Sequence, residues 1–208
     1  MHQLILSFVT ILTLSASLSV NAEPELQGYG AFSDLNKDWM LMALYSEPAN
    51  ETSQMATAER LEIKIATEKF SPRRFRSLWL NALAVEHSAE KIAAMEAELN
   101  QFFSIIEGPL KAGDALIIEH TENTGQVQSE VRINYHTLAN LSEDFLPLMV
   151  QSLVGKHPPT QALKAGLTGQ ISLREQTNLG IRFDRLEPTL PRISEISRWG
   201  KRNLVSSL

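Results

Sequence analysis

Residues 115–135 read ALIIEHTENTGQVQSEVRINY, and this stretch decides the class of fold. It opens with an apolar run, has the turn signal Asn123-Thr124-Gly125 in its middle, and then returns with apolar residues at alternate positions. Alternation with a period of two is typical of a strand that buries one face. The stretch therefore predicts a β-hairpin whose second strand buries Val127, Val131, Ile133 and Tyr135.

Three further strands are predicted upstream of this hairpin. Residues 28–45 indicate two strands joined by the polar turn at residues 33–38. Residues 60–65, RLEIKI, alternate strictly between charged and apolar side chains. This alternation predicts a half-exposed strand with Leu61, Ile63 and Ile65 facing inward.

Helices are predicted both between and after the strands. Ser71-Pro72 is a helix-start signal, and a helix is expected from Pro72 to Glu86. Ser88 starts a second helix whose apolar spacing continues for four turns to Ile106. Ser142 is expected to cap a third helix that ends at Gly155, and a short helix is expected over residues 160–167.

This order of strands, two helices, a hairpin and further helices predicts an α+β domain over residues 23–169. Strands joined by hairpins favour an antiparallel β-sheet, and grouped helices favour a layer of α-helices on one face of it. Residues 170–208 form a basic extension with seven basic and four acidic residues. Two alternatives remain for this extension: it docks on the domain, or residues 186–208 contact a membrane surface or a partner protein.

The amino terminus predicts export. Residues 4–20 are apolar or small and carry no charge, and they are too short to cross a bilayer comfortably as a helix. Small residues before Glu23-Pro24 predict a signal peptide of residues 1–22, cleaved after Ala22, and a location in the periplasm. The alternative is that the segment is retained as a membrane anchor.

Composition excludes several classes of function. The formal net charge is −5, which argues against nucleic acid as a partner because phosphate neutralisation needs a basic surface. The chain has no cysteine, so disulfides, thiol nucleophiles and zinc–cysteine sites are excluded. The histidines are scattered along the chain, and no metal or other cofactor is expected.

Two groups of arginines are candidate binding residues. Arg60 begins a strand, where it either serves a cleft or lies at the solvated edge of the sheet. Arg73, Arg74 and Arg76 crowd the start of a predicted helix, where the helix dipole disfavours positive charge. Either an anionic ligand or acidic neighbours from the loops would relieve this crowding.

A set of landmarks occurs in order between about residue 26 and residue 169. They are Gly28-Tyr29-Gly30-Ala31-Phe32, Ala43-Leu44-Tyr45, Arg60-Leu61-Glu62-Ile63, residues 75–81, Gly113-Asp114, and Gly155 with Pro158-Pro159. This ordered set, which is more specific than any one motif in it, resembles the bacterial chalcone isomerase-like family.

The resemblance implies an open-faced sandwich with an apolar cleft between the sheet and the helices. In plant members the cleft cyclises chalcones or holds a fatty acid, and both uses depend on an arginine in the glycine-containing motif. The matching position here is Phe32, whose ring cannot donate a hydrogen bond or carry positive charge. Chalcone isomerase activity is therefore not expected.

We expect an exported, non-catalytic domain that binds a small hydrophobic molecule, with a fatty acid as the first candidate. The residues expected to line the cleft are Phe32, Tyr45, Arg60, Phe75, Trp79 and Phe103. Two alternatives stay open: an envelope interaction or scaffold protein, and an isomerase-like enzyme with a non-standard site.

Overall fold

The computed structural model describes residues 23–35, 37–47 and 57–199. The predicted export segment, residues 1–22, lies outside these residues. The six described strands form one sheet in which each strand pairs antiparallel with the next along the chain. The strands are β1 Glu25–Asp34, β2 Lys37–Ser46, β3 Ala58–Ile65, β4 Ala115–Asn123, β5 Gln126–Ile133 and β6 His136–Ser142.

Seven helices accompany the sheet in the described part of the chain. Three lie between β3 and β4, and four follow β6. They are α1 Pro72–Glu86, α2 Ala89–Ala94, α3 Glu96–Ser104, α4 Phe145–Val154, α5 Gln161–Leu167, α6 Leu173–Asp184 and α7 Leu190–Ile196.

Alternate residues of the strands define two faces of the sheet. Met40 and Met42 of β2 are buried in the main core together with residues of α1, α3, α4 and α5, and we call this side the front face. Leu41 and Ala43 are buried on the other side against Phe183 of α6, and we call this side the back face. The expected α+β class is confirmed, and α6 on the back face is a helix that the sequence analysis did not predict.

The edge strand β1 touches α5 backbone to backbone. A Cβ atom on Gly166 would lie 2.5 Å from the carbonyl oxygen of Tyr29, and one on Gly30 would lie 2.9 Å from that of Leu163. Real side chains do not fit at such distances, so glycine at these positions is what permits the contact. The glycines of the β1 motif therefore position α5 against the edge strand.

The predicted helix over Pro72–Glu86 is confirmed, but the helix capped by Ser88 is not continuous. It breaks at Met95, whose φ of −100° and ψ of 8° leave the helical region and separate α2 from α3. No residue of α2 is buried, whereas Leu99, Phe102 and Phe103 of α3 are. The break lets α3 turn its apolar side towards the sheet while α2 remains at the surface.

The expected helix start at Ser142 is wrong. Ser142 ends strand β6, and both its backbone N–H and its hydroxyl donate to the carboxylate of Glu98. Ala139 and Leu141 are the buried alternate positions of this strand, and α4 begins only after Asp144. Because β6 has only these two buried apolar residues, its alternation of apolar and polar positions is too short to predict a strand.

The second strand of the hairpin is shorter than predicted. Val131 and Ile133 are buried, but Val127 and Tyr135 are exposed. Asn134 and Tyr135 form a turn with positive φ angles of 47° and 73°, so Tyr135 is no longer in the strand. The Asn134 side chain stabilises this turn, since it accepts from the Ala115 N–H and donates to Asp114.

Residues 170–199 pack on the domain. Ser172 and Glu175 form a capping box that starts α6. Gln176 accepts from the Tyr29 N–H at 2.8 Å and donates to the Gly166 carbonyl at 2.6 Å, so it protects part of the open edge of β1. Further along, Ile196 and Trp199 are buried in the main core.

A buried ion pair attaches helix α7 of this extension, and we call it the Arg192 clasp. Arg192 donates to both carboxylate oxygens of Asp114 at 2.7–3.0 Å and to the carbonyl of Pro109 at 2.9 Å. Asp114 also accepts from Asn134 and from the Lys111 N–H, so its oxygens are fully satisfied. Burial lowers the pKa of Arg192, but the hydrogen bonds to Asp114 and Glu195 and their negative charges outweigh this effect and raise it.

Arg192→Met leaves the Asp114 carboxylate buried without its cation, which costs about 3–5 kcal/mol in comparable buried pairs. The free energy of unfolding in urea is therefore expected to fall by that amount. The control is Lys111→Ala, because Lys111 forms an exposed pair with Glu195 that contributes about 1 kcal/mol or less. Equal losses for the two variants would contradict the role given to the clasp.

Candidate functional site

Three of the six predicted site residues belong to the packed interior of the front face. Phe75 and Trp79 of α1 are completely buried, and Phe103 of α3 is 7% exposed. The Phe75 ring lies 6.2 Å from that of Trp79 and 6.0 Å from that of Phe102, and the Phe102 ring lies 5.3 Å from that of Phe103. These rings contact one another between the helices and the sheet, so Phe75 and Trp79 are core residues in this structure.

Phe32 also lies on the front face. It is half-buried near the end of β1 and packs against the main core. Gly28 and Gly30 lie at alternate positions of the same strand and contact α5 on that face. The phenyl ring supplies apolar surface there and no hydrogen-bond donor.

Tyr45 and Arg60 lie on the back face, away from the other four predicted residues. They are direct partners in the β2–β3 register, and the Arg60 guanidinium carbon stacks 3.9 Å from the Tyr45 ring centroid. Burial and the neighbouring Glu62 carboxylate raise the pKa of Tyr45, against the opposing effect of Arg60. The structure therefore divides the six residues between two faces and does not bring them together around one cleft.

One of the completely buried side chains of the front-face core has a polar atom without a partner. The indole N–H of Trp79 has no hydrogen-bond acceptor among the described residues, although the side chain is completely buried. An unpaired buried donor costs about 1–3 kcal/mol. This N–H is therefore a hydrogen-bond donor that is still available inside the front-face core.

A groove with apolar walls lies on the outer side of the helix layer, between α1 and the α2–α3 pair, and we call it the helix groove. Its volume is about 360 Å³, within the usual range for small-molecule sites. The residues that line it are Arg76, Leu80, Ala89, Ile92, Ala93, Glu96, Leu99, Asn100 and Phe103. Of the six predicted residues, Phe103 alone lines this groove.

Arg76 is the cation of the helix groove. Its guanidinium donates to the side-chain oxygen of Asn100 at 3.0 Å and lies 5.2 Å from the Phe103 ring centroid. These partners are a neutral amide and a ring, and Arg76 forms no ion pair with a carboxylate among the described residues, although the Glu96 carboxylate also belongs to the lining of the groove. The first turn of α1 also contains no acidic residue.

The crowding of arginines at the start of α1 pointed to this position from the sequence. The structure separates their roles: Arg74 stacks on Trp39, with its guanidinium carbon 4.1 Å from the ring centroid, whereas Arg76 faces the helix groove. The sequence did not predict the other wall of the helix groove, which α2 and α3 form. That wall depends on the break at Met95, which sets the angle between α2 and α3.

The described residues contain neither a membrane span nor a metal cluster. No described helix is long and apolar enough to cross a bilayer. No group of three or more histidine, aspartate or glutamate side chains is arranged to hold a metal ion in residues 23–35, 37–47 and 57–199.

Comparison with known proteins identifies the family. The model of the chalcone isomerase-like family matches residues 12–169, which is more than half of the chain, so the chain belongs to that family. The crystal structure of a fatty-acid binding protein from Arabidopsis thaliana is similar, with a TM-score of 0.55 and 13% sequence identity. The match covers 73% of this chain and 90% of that chain, and at this identity it establishes the fold. No curated protein matches the sequence.

The back face supports a prediction about pH. Burial raises the pKa of Glu62, and the nearby Lys64, Arg60 and Arg132 offset only part of this effect. A carboxyl group with a raised folded pKa stabilises the fold below its unfolded pKa of about 4.3, and this contribution is lost as the pH rises through the folded pKa.

Glu62→Gln removes this loss of stability at higher pH, because glutamine does not ionise. We therefore expect the free energy of unfolding of the variant, relative to that of the original chain, to be higher at about pH 8 than at about pH 5. Urea unfolding at the two pH values measures the difference. A relative stability that falls with rising pH would contradict the assigned effect of burial.

Proposed function

We propose that the chain is a non-catalytic binding protein that holds a single-chain carboxylate, with a fatty acid as the simplest example, in the helix groove. The observation that carries the proposal is the position of Arg76 at a groove with apolar walls, where its guanidinium has a neutral amide and a ring as described partners. A carboxylate would take the charge-assisted hydrogen bonds that Arg76 can still donate.

The acyl chain would lie along the apolar walls of the same groove. Leu80 and Ile92 are half-buried at its surface, and Leu99 and Phe103 form its floor. Covering such surface contributes about 25 cal/mol per Å² of apolar area removed from water. Head-group pairing and chain burial are therefore available at one place.

The family and the solved neighbour support a binding role. The chain belongs to the chalcone isomerase-like family, and one protein of similar fold is a fatty-acid binding protein. The phenyl ring of Phe32 removes the donor that the isomerase reaction would need at that position, so binding is favoured over isomerase catalysis. Compared with the cleft expected from the sequence, the proposal keeps Phe103 and replaces Arg60 by Arg76.

Arg76→Gln is expected to weaken decanoate binding by about tenfold or more, because a hydrogen bond to a charged group contributes about 1.5–3 kcal/mol. Binding of the uncharged 1-decanol, which needs no cation, is expected to change by less than about twofold. Isothermal titration calorimetry measures both affinities. The matched control is Arg73→Gln, which removes the same charge from the same helix turn but does not line the groove.

Ala93→Phe tests the apolar wall in the same experiment. It places a ring in the helix groove and is expected to weaken both decanoate and decanol, whereas Ala94→Phe, one residue outside the lining, is expected to weaken neither. The proposal fails if the original chain binds no decanoate, or if Arg73→Gln has the same effect as Arg76→Gln.

Export is the second part of the proposal. The apolar residues 4–20 followed by Glu23-Pro24 support a cleaved signal peptide and a periplasmic location, where a carrier of apolar molecules would meet membrane lipid. Intact mass spectrometry of protein from the periplasmic fraction is expected to show a chain that begins at Glu23. A full-length chain found only in the membrane fraction would instead indicate a retained anchor.

A further inference from the structure

The back face has a second pocket, built largely by the part of the chain beyond the family match. The family model ends at residue 169, and α6 begins at Leu173. The pocket lies between α6, the edge strand β1 and the start of α5, and we call it the edge pocket. It has a volume of about 400 Å³, and its lining consists of Ala31, Ser33, Ala162, Ile171, Arg174, Glu175, Asn178, Leu179 and Arg182.

Three of the polar side chains that line the edge pocket stand in one row on α6. Arg174, Asn178 and Arg182 are spaced four residues apart, so they share one side of the helix and follow each other at intervals of about 6 Å. Each side chain carries N–H donors. Together they offer two guanidinium groups and one amide to a single bound molecule.

One of these cations is held in place and the other is available. Arg182 pairs with Asp38, which in turn accepts from the hydroxyl of Ser33, so the guanidinium of Arg182 is fixed at the pocket wall. Arg174 is exposed and has no partner among the described residues. The carboxylate in the lining, Glu175, already accepts from both the N–H and the hydroxyl of Ser172 in the capping box.

The floor of the edge pocket is apolar. Leu179 and Ala31 belong to the back-face cluster around Phe183, and Ala162 and Ile171 complete the surface. An inorganic anion would leave this floor uncovered. A molecule with an apolar body and one anionic group would use both the floor and the row of donors.

We propose that the edge pocket is a second binding site, separate from the helix groove, for a small organic carboxylate with a compact apolar body such as an aromatic ring. The carboxylate pairs with Arg174 and Asn178, beside the fixed guanidinium of Arg182, and the ring covers Ala31, Leu179 and Ala162. The site does not depend on the helix groove, because the two have no lining residue in common.

The probe for this proposal is 1-naphthoate, followed by two-dimensional ¹H–¹⁵N NMR of the labelled full chain. Saturable shifts are expected for the amides of residues 31–33 and 171–182. Arg174→Gln is expected to weaken binding by about tenfold or more, while 1-naphthalenemethanol, which lacks the carboxylate, binds more weakly than 1-naphthoate from the start. Arg76→Gln, in the helix groove, serves as the matched control and is expected to leave these shifts unchanged.

A second variant keeps the test decisive. Ala162 is exposed on the wall opposite α6, so Ala162→Phe fills the apolar part of the pocket without altering α6 and is expected to abolish the shifts. The proposal is overturned if 1-naphthoate causes no saturable shift at residues 31–33 and 171–182, or if Arg174→Gln and Ala162→Phe leave its affinity unchanged. Shifts confined to α1–α3 would overturn it as well and would leave the helix groove in place.

Discussion

Contact among aromatic rings from three helices closes the space between the helix layer and the sheet. Phe102 of α3 lies 6.0 Å from Phe75 of α1 and 5.2 Å from Phe145 of α4, measured between ring centroids. Each such pair adds about 0.5–1.5 kcal/mol to the burial of the rings, and a packed interior has little spare volume. A ligand between the layers would have to displace these rings. Binding is therefore favoured on the outer side of the helix layer, where Arg76 and the apolar walls of the helix groove lie together.

The carboxyl-terminal extension completes a structure that the family fold begins. The family match ends at residue 169, yet Ile196 and Trp199 are buried in the main core and Arg192 is tied to Asp114 at the start of β4. This attachment positions α6 on the back face of β1 and β2. In doing so it protects the open edge of the sheet, and it also creates the edge pocket. The chain thus has two separate concave surfaces that include arginine side chains, the helix groove and the edge pocket.

The class of fold could be predicted from the sequence because its signals are local. Strict alternation at residues 60–65 and the cap at Ser71-Pro72 each predict their element directly, and the order of elements then predicts the layers. The weak strand β6 was not predicted. Helix α6 was not predicted either, although Ser172 and Glu175 have the spacing of a capping box, which is a signal for a helix start. The candidate site was harder, because it depends on angles between elements. The packing of α1 against α3 decides whether Phe75 and Trp79 line a cleft or fill it. It also decides whether Arg76 faces a groove.

The position of a bound acyl chain tests the central claim most directly. With ¹³C-labelled decanoate and the full chain, nuclear Overhauser effects from the chain methylenes report which side chains they touch. Contacts with the methyl groups of Leu80 and Ile92 are expected, because both lie at the helix groove on the outer side of the helices. Contacts with Leu61 and Ile63, which are buried on the sheet beneath the helices, would contradict the account by placing the ligand between the layers.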